Sequence, residues 1–93
     1  MKRILLRSTA FVRAAKRVLK KQPDAADRFR QTLELLADDA FQAELKTHKL
    51  KGELAGSWSC SAGYDLRIVF EFVKHEDAEA ILLLTIGSHD EVY

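Results

Sequence analysis

One cysteine, one proline and four glycines in 93 residues leave this chain few irregular features to be built around. The lone Cys60 excludes an intrachain disulfide and any multi-cysteine zinc site. It lies in an alternating stretch and reads as a small buried hydrophobe. The longest unbroken apolar run, Ala80–Leu84, is far shorter than the roughly 20 residues of a membrane-crossing helix, so no membrane partner is expected. Near the start, the apolar stretch Ile4–Leu6 also falls short of the about 7–15 residues of a secretory signal, which reads as a cytoplasmic protein. No glycine-rich phosphate loop, Ser-His-Asp spacing or HExxH pattern is present, and neither a metal nor a cofactor is expected. There is no internal repeat or low-complexity segment.

The sequence does contain an ordinary globular balance of 47% hydrophobic and 31% charged residues, enough for one domain spanning 1–93. The net charge of +1 conceals an asymmetry. Residues 1–30 hold ten Lys and Arg against two Asp, a net of +8, whereas residues 31–93 hold five basic against twelve acidic residues, a net of −7. Such a division suits a basic surface that meets a polyanion or an acidic partner, although helices also solvate themselves with Lys and Arg.

Along the chain, 2–7 reads as a strand around Ile4, Leu5 and Leu6. Ser8 or Thr9 can cap the helix that comes next, whose buried face is expected at Phe11, Ala15, Val18, Leu19 and Gln22. Pro23 breaks that helix and suits the first turn of a second, with Asp24 and Asp27 at its positive end. Ala26, Phe29, Leu33 and Leu36 give the second helix an apolar stripe, and Asp38-Asp39 marks its stop. The two helices form a hairpin. Residues 41–56 read as an extended loop with a short strand inside it. From Ser57 to Phe72 the pattern is period two on two strands. A three-residue loop Ser61-Ala62-Gly63 would oppose Cys60 to Tyr64, Ser59 to Asp65, Trp58 to Leu66 and Ser57 to Arg67. The polar turn Lys74–Glu79 leads to a strand, Ala80–Ile86, apolar on both faces and therefore central. The expected fold is α+β, with an N-terminal strand and a helical hairpin packed on a mainly antiparallel sheet of three or more C-terminal strands.

The chemistry-bearing residues gather around that sheet. After the central strand, Gly87 is succeeded by His89, Asp90, Glu91 and Tyr93. His48 lies in the basic stretch Lys46-Thr47-His48-Lys49-Leu50-Lys51, just before the hairpin. Ser59, Asp65 and Arg67 fall on the face opposite Trp58, Leu66, Ile68 and Phe70, and Asp65 or Glu71 can alternatively pair with Arg67 as a plain ion pair. His75, in the turn, reads as a surface residue. Two histidines, a carboxylate, an arginine, a tyrosine and several lysines suit phosphodiester chemistry on RNA without a metal. One group takes the 2′-hydroxyl proton, a cation stabilises charge on the phosphate, and another protonates the leaving 5′-oxygen.

Three stretches together resemble the RelE/ParE superfamily of bacterial type II toxins, with the nearest likeness to RelE/StbE and YafQ-like mRNA interferases. They are His48-Lys49-Leu50-Lys51-Gly52, Tyr64-Asp65-Leu66-Arg67-Ile68-Val69-Phe70, and Ile86-Gly87-Ser88-His89-Asp90-Glu91-Val92-Tyr93. The resemblance implies a RelE-like microbial RNase fold and a ribosome-dependent mRNA endoribonuclease held in check by a cognate antitoxin protein. It implies catalytic roles for His48, Asp65, Arg67, His89 and Tyr93. Lys46, Lys49, Lys51, Arg13 and Arg17 are expected to contact the mRNA backbone or ribosomal RNA. Ser61 stands where YafQ-like toxins carry a further histidine and Thr85 where they carry an arginine, and Arg67 is available to supply the cation. Two other readings remain open: a ParE-like toxin that inhibits DNA gyrase without cutting RNA, and an inactive toxin-like partner of an antitoxin. The two histidines have a task in RNA cleavage and none in gyrase binding, which favours the nuclease.

Overall fold

A computed structural model describes residues 2–63 and 65–93. Its longest strand, β5 (Ala78–Ser88), has eleven residues and carries a neighbour on each side. The elements before it are β1 (Ile4–Arg7), α1 (Thr9–Lys21), α2 (Ala26–Asp38), β2 (His48–Lys49), β3 (Trp58–Ser61) and β4 (Leu66–His75); α3 (His89–Val92) comes after it. The sheet order is β1-β5-β4-β3-β2, with β1 parallel to β5 and every other pair antiparallel. A two-residue hairpin cannot join parallel strands, so the helical hairpin between β1 and the rest supplies the crossover.

Local chemistry explains where the elements begin and end. The Ser8 hydroxyl accepts the Phe11 amide at 3.0 Å and donates to the Leu84 carbonyl at 3.2 Å, so one side chain caps α1 and ties its start to β5. Pro23 opens a 3₁₀ turn, Pro23–Ala25, before α2. The second helix stops at Asp38 as expected, and the Asp39 carboxylate accepts the Phe41 amide at 3.0 Å to start the next turn. Phe11, Ala14, Ala15 and Val18 of α1 and Phe29, Thr32, Leu33 and Leu36 of α2 are buried, and the Phe11 and Phe29 rings meet at 5.9 Å. Two expected positions differ: Gln22 and Ala26 are exposed. Thr32 takes a core place because its hydroxyl donates to the Arg28 carbonyl at 2.7 Å, which satisfies it without a tertiary partner. Against these helices the sheet presents Cys60, Ile68, Phe70, Ile81, Leu83 and Ile86, each at most 1% exposed.

The β4–β5 turn is tighter than the polar stretch suggested. His75 pairs with Ala78, which leaves Glu76 and Asp77 as a two-residue loop with φ of 51° and 66°. Both are left-handed, the geometry that matches hairpin twist. One irregularity serves the core. Val69 pairs with Thr85 but Phe70 with Leu83, so Leu84 is an extra residue in β5. That bulge puts even-numbered Ile86 on the same face as odd-numbered Ile81 and Leu83.

The β3–β4 register corrects the sequence expectation. Trp58 opposes Phe70, Ser59 opposes Val69, Cys60 opposes Ile68 and Ser61 opposes Arg67. The connection is the longer segment 62–65, closed by the Ala62 amide on the Leu66 carbonyl at 2.8 Å. Tyr64, expected to face Cys60, lies outside the described residues. Gly63 has the positive φ, 131°, that its place in the loop called for. Each β3 residue meets a partner four positions further along than expected, and an even shift preserves the faces. Period two specifies which side a residue occupies but not which residue it meets.

Candidate active site

Strand register sets out the face of the sheet turned away from α1 and α2. Direct partners across neighbouring strands share a face, so His48, Ser59, Val69 and Thr85 form one row over β2, β3, β4 and β5. Ser61, Arg67 and Gly87 form the next. By the same rule Lys49 shares the other face with Trp58, and its ammonium lies 5.6 Å from the Trp58 ring centroid.

Beyond β5 the chain closes into a folded turn rather than a loose tail. The Ser88 hydroxyl accepts the Glu91 amide at 3.3 Å while the Glu91 carboxylate accepts the Ser88 amide at 2.9 Å, a reciprocal capping box. That Ser-x-x-Glu spacing is legible in the sequence and was the missed signal for α3. The Ser88 backbone amide first, its hydroxyl second, and the more distant Lys21 and Arg17 charges hold the Glu91 carboxyl below the usual glutamate range. Gly87 makes the return possible. A Cβ there would lie 3.2 Å from Glu91 Cβ, Glu91 Oε1 and Val92 Cγ1.

The turn delivers Tyr93 onto the sheet, where its phenol donates a hydrogen bond to the Ser59 hydroxyl. Its ring meets His89 edge-on, with centroids 4.6 Å apart and planes at 83°, and lies 6.4 Å from the His48 ring. His48, Leu50, Lys51, Leu54, His89 and Tyr93 line an open cleft of about 350 Å³. Both histidines are exposed. His48 Nδ1 is 3.0 Å from the Lys46 carbonyl. A carbonyl only accepts, so Nδ1 carries the proton and Nε2 keeps its lone pair in the neutral ring. His89 Nδ1 is 3.7 Å from the Asp90 carboxylate.

Of the residues expected to share a site, His48, His89, Tyr93 and Lys51 line this cleft. Arg67 is on the same face, half-buried and directly across the ladder from Gly87, with its guanidinium donating to the Leu66 carbonyl at 2.9 Å. Asp65 is exposed in the 62–65 loop, outside the cleft lining, and it does not oppose Ser59 as expected. Among the described residues the Asp65–Arg67 ion pair is absent, and Glu71 accepts a bond from Ser57 at 3.3 Å instead. Lys46 is exposed in a left-handed conformation with φ of 50°, its carbonyl against His48, whereas Lys49 is on the other face. Arg13 and Arg17 are exposed on α1, Arg17 close enough to act on Glu91. Leu50 and Leu54 were given no role by sequence, and Ser59 was placed on the open face with Asp65 and Arg67 but given no role there. Ser59 looked like any outward polar residue of an alternating strand. Burial pushes the Cys60 thiol up to about 12, so it has no nucleophilic part here. No group of three or more His, Cys, Asp or Glu that would hold a metal ion occurs among the described residues, and no helix there is long and apolar enough to cross a membrane.

Residues 3–93 match the family described as bacterial toxin of type II toxin–antitoxin system, YafQ. This chain belongs to the YafQ toxin family. Curated proteins give no match. Among solved structures, YafQ from E. coli strain BL21(DE3) is similar, with 15% identity over 99% of both chains and a TM-score of 0.79. The E. coli DinJ–YafQ toxin–antitoxin complex matches with 16% identity, 100% of this chain, 99% of the other and a TM-score of 0.76. A metal-bound toxin from Helicobacter pylori matches with 27% identity over the whole of both chains and a TM-score of 0.71. The expected α+β fold of the YafQ and RelE-like toxins is therefore the observed one, and the protein is a toxin of a type II toxin–antitoxin system.

Proposed function

We propose that this YafQ-family toxin is an mRNA endoribonuclease that acts on ribosome-bound message and is neutralised by a cognate antitoxin. The observation that carries the reading is the pair of exposed histidines that both meet the Tyr93 ring in one cleft. His48 Nε2, with its lone pair, takes the proton of a 2′-hydroxyl, whose oxygen attacks the adjacent phosphorus. The bond to the 5′-oxygen breaks, and His89 as imidazolium gives that oxygen its proton. Lys51 in the cleft, with Arg67 further along the same face, offsets the charge growing on the phosphate oxygens. Net charge is unchanged, and exchange of protons with water returns His48 and His89 to their starting protonation states.

Asp65 and Lys49 are outside the acid–base step in this proposal; Lys46, Arg13 and Arg17 give sequence-independent attraction to RNA. The E. coli YafQ structure with DinJ supports an antitoxin partner for this chain as well. The test is primer extension on a defined mRNA in a translation system with wild type, His48→Ala and His89→Ala side by side. New 5′ ends that vanish in both variants are expected. Absence of cleavage by antitoxin-free wild type, with inhibition of gyrase supercoiling instead, would replace the proposal with the ParE-like reading.

A further inference from the structure

We propose that Ser59 is a positioning residue of the cleft, which hydrogen-bonds the Tyr93 phenol and thereby holds the aromatic ring against His48 and His89. Ser59 is 0% exposed, in mid-sheet, directly opposite His48 on β2 and Val69 on β4. A hydroxyl buried that deeply is costly without a partner, and its partner is the Tyr93 hydroxyl, 34 residues away. Among the described residues, this is the side-chain hydrogen bond that ties the C-terminal turn to β3, because the Ser88–Glu91 capping box is internal to the turn. A single helical turn is unstable by itself, so its anchor decides where His89 sits.

The bond narrows the roles open to Tyr93. Its phenol is engaged with the buried Ser59 hydroxyl. Tyr93 therefore acts through its ring, against His89 at 4.6 Å and His48 at 6.4 Å. Ser59 acts through Tyr93 and touches no reacting atom.

Two measurements test this, and only the second rests on the nuclease reading. The first is the NMR spectrum of the imidazole groups in the free protein for wild type, Ser59→Ala and Tyr93→Phe. Tyr93→Phe breaks the same bond from a residue 44% exposed and removes no atom from the core. His48 and His89 signals are expected to move in both variants while His75, in the distant β4–β5 hairpin, stays. Unmoved His48 and His89 signals would overturn the proposal whether or not the protein cleaves RNA.

The second measurement is the rate of mRNA cleavage against ribosome concentration. Each single variant is expected to lose about threefold to tenfold in kcat, the scale of one net hydrogen bond, at unchanged KM. The Ser59→Ala/Tyr93→Phe double variant should be no slower than either single, because both remove one interaction. The pH–rate profile should keep its shape in both. A limb of the profile lost in Tyr93→Phe but kept in Ser59→Ala would make Tyr93 an acid–base group and overturn the proposal, as would additive losses. No cleavage by wild type would sink the nuclease reading, and the imidazole spectra would still decide the positioning role.

Discussion

Replacing Gly87 by alanine displaces the C-terminal turn while leaving the core intact. The added Cβ would stand 3.2 Å from three atoms, all of them in Glu91 or Val92. Carbon contacts are comfortable at about 3.5–4.0 Å, so relief requires α3 to retreat by a few tenths of an ångström. Glu91 Oε1 is one of the crowded atoms and also the acceptor of the Ser88 amide, so the retreat strains the capping box. Overpacking in a closed core costs about 1–3 kcal/mol, and an exposed turn free to move away should cost about 1 kcal/mol or less. For a domain of this size that is a fall of at most about 4–8 °C in Tm. The effect on the cleft is larger. A misplacement of about 1 Å can cost about 100-fold in rate, and a displacement of a few tenths, carried by both His89 and Tyr93, should cost about tenfold. Thermal unfolding and the initial rate of mRNA cleavage, measured on the same preparation, check this. Wild-type cleavage by a folded Gly87→Ala variant would refute the link between the turn's placement and the chemistry.

The folded-state pKa of Glu91 is depressed, so its contribution to holding the turn is present above the ordinary glutamate value of about 4.3 and is lost as pH falls through the folded-state value. Ser88 and Glu91 amide signals should therefore shift on acidification, and in Glu91→Gln they should not track that titration. Cys60, with its thiol pushed up to about 12 by burial, should resist alkylation at about pH 8 until denaturant unfolds the chain; rapid labelling of the native protein would contradict its burial. Ile68→Ala, at 0% exposure, should lose about 2–5 kcal/mol in a denaturant melt. Ile4→Ala, at 49% exposure, should lose about 0.5 kcal/mol or less in the same melt.

The elements were legible where one local signal dominated. Ser8 and Pro23 fixed helix boundaries because a cap and a missing amide act within a few residues. The alternation around Ile68 and Phe70 showed the core face because burial imposes a period of two. Pairing partners were not legible. Trp58 meets Phe70 rather than Leu66, and nothing local to 57–72 distinguishes registers that differ by an even number. For the cleft, residue type identified His48, His89, Tyr93 and Lys51, since few side chains can move protons or meet phosphate near neutral pH. Lys49 was grouped with them by its place in the basic stretch around His48, and Asp65 by its expected pairing with Ser59 and by the family resemblance. A strand sends adjacent residues to opposite faces, which separates Lys49 from His48, and the lengthened loop carries Asp65 away from Ser59. Ser59 was hidden because its importance depends on Tyr93, whose return to the sheet requires Gly87 and the capping box together.

The end groups of the cleaved message test the central claim most directly. Attack by the 2′-hydroxyl, with His48 as base and His89 as acid, leaves a 2′,3′-cyclic phosphate on the upstream fragment and a free 5′-hydroxyl on the downstream one. Downstream fragments that polynucleotide kinase labels without prior phosphatase treatment, and that disappear with His89→Ala, are the predicted result. Fragments carrying a 5′-phosphate and a 3′-hydroxyl would contradict it, because they require water rather than the 2′-hydroxyl as the nucleophile.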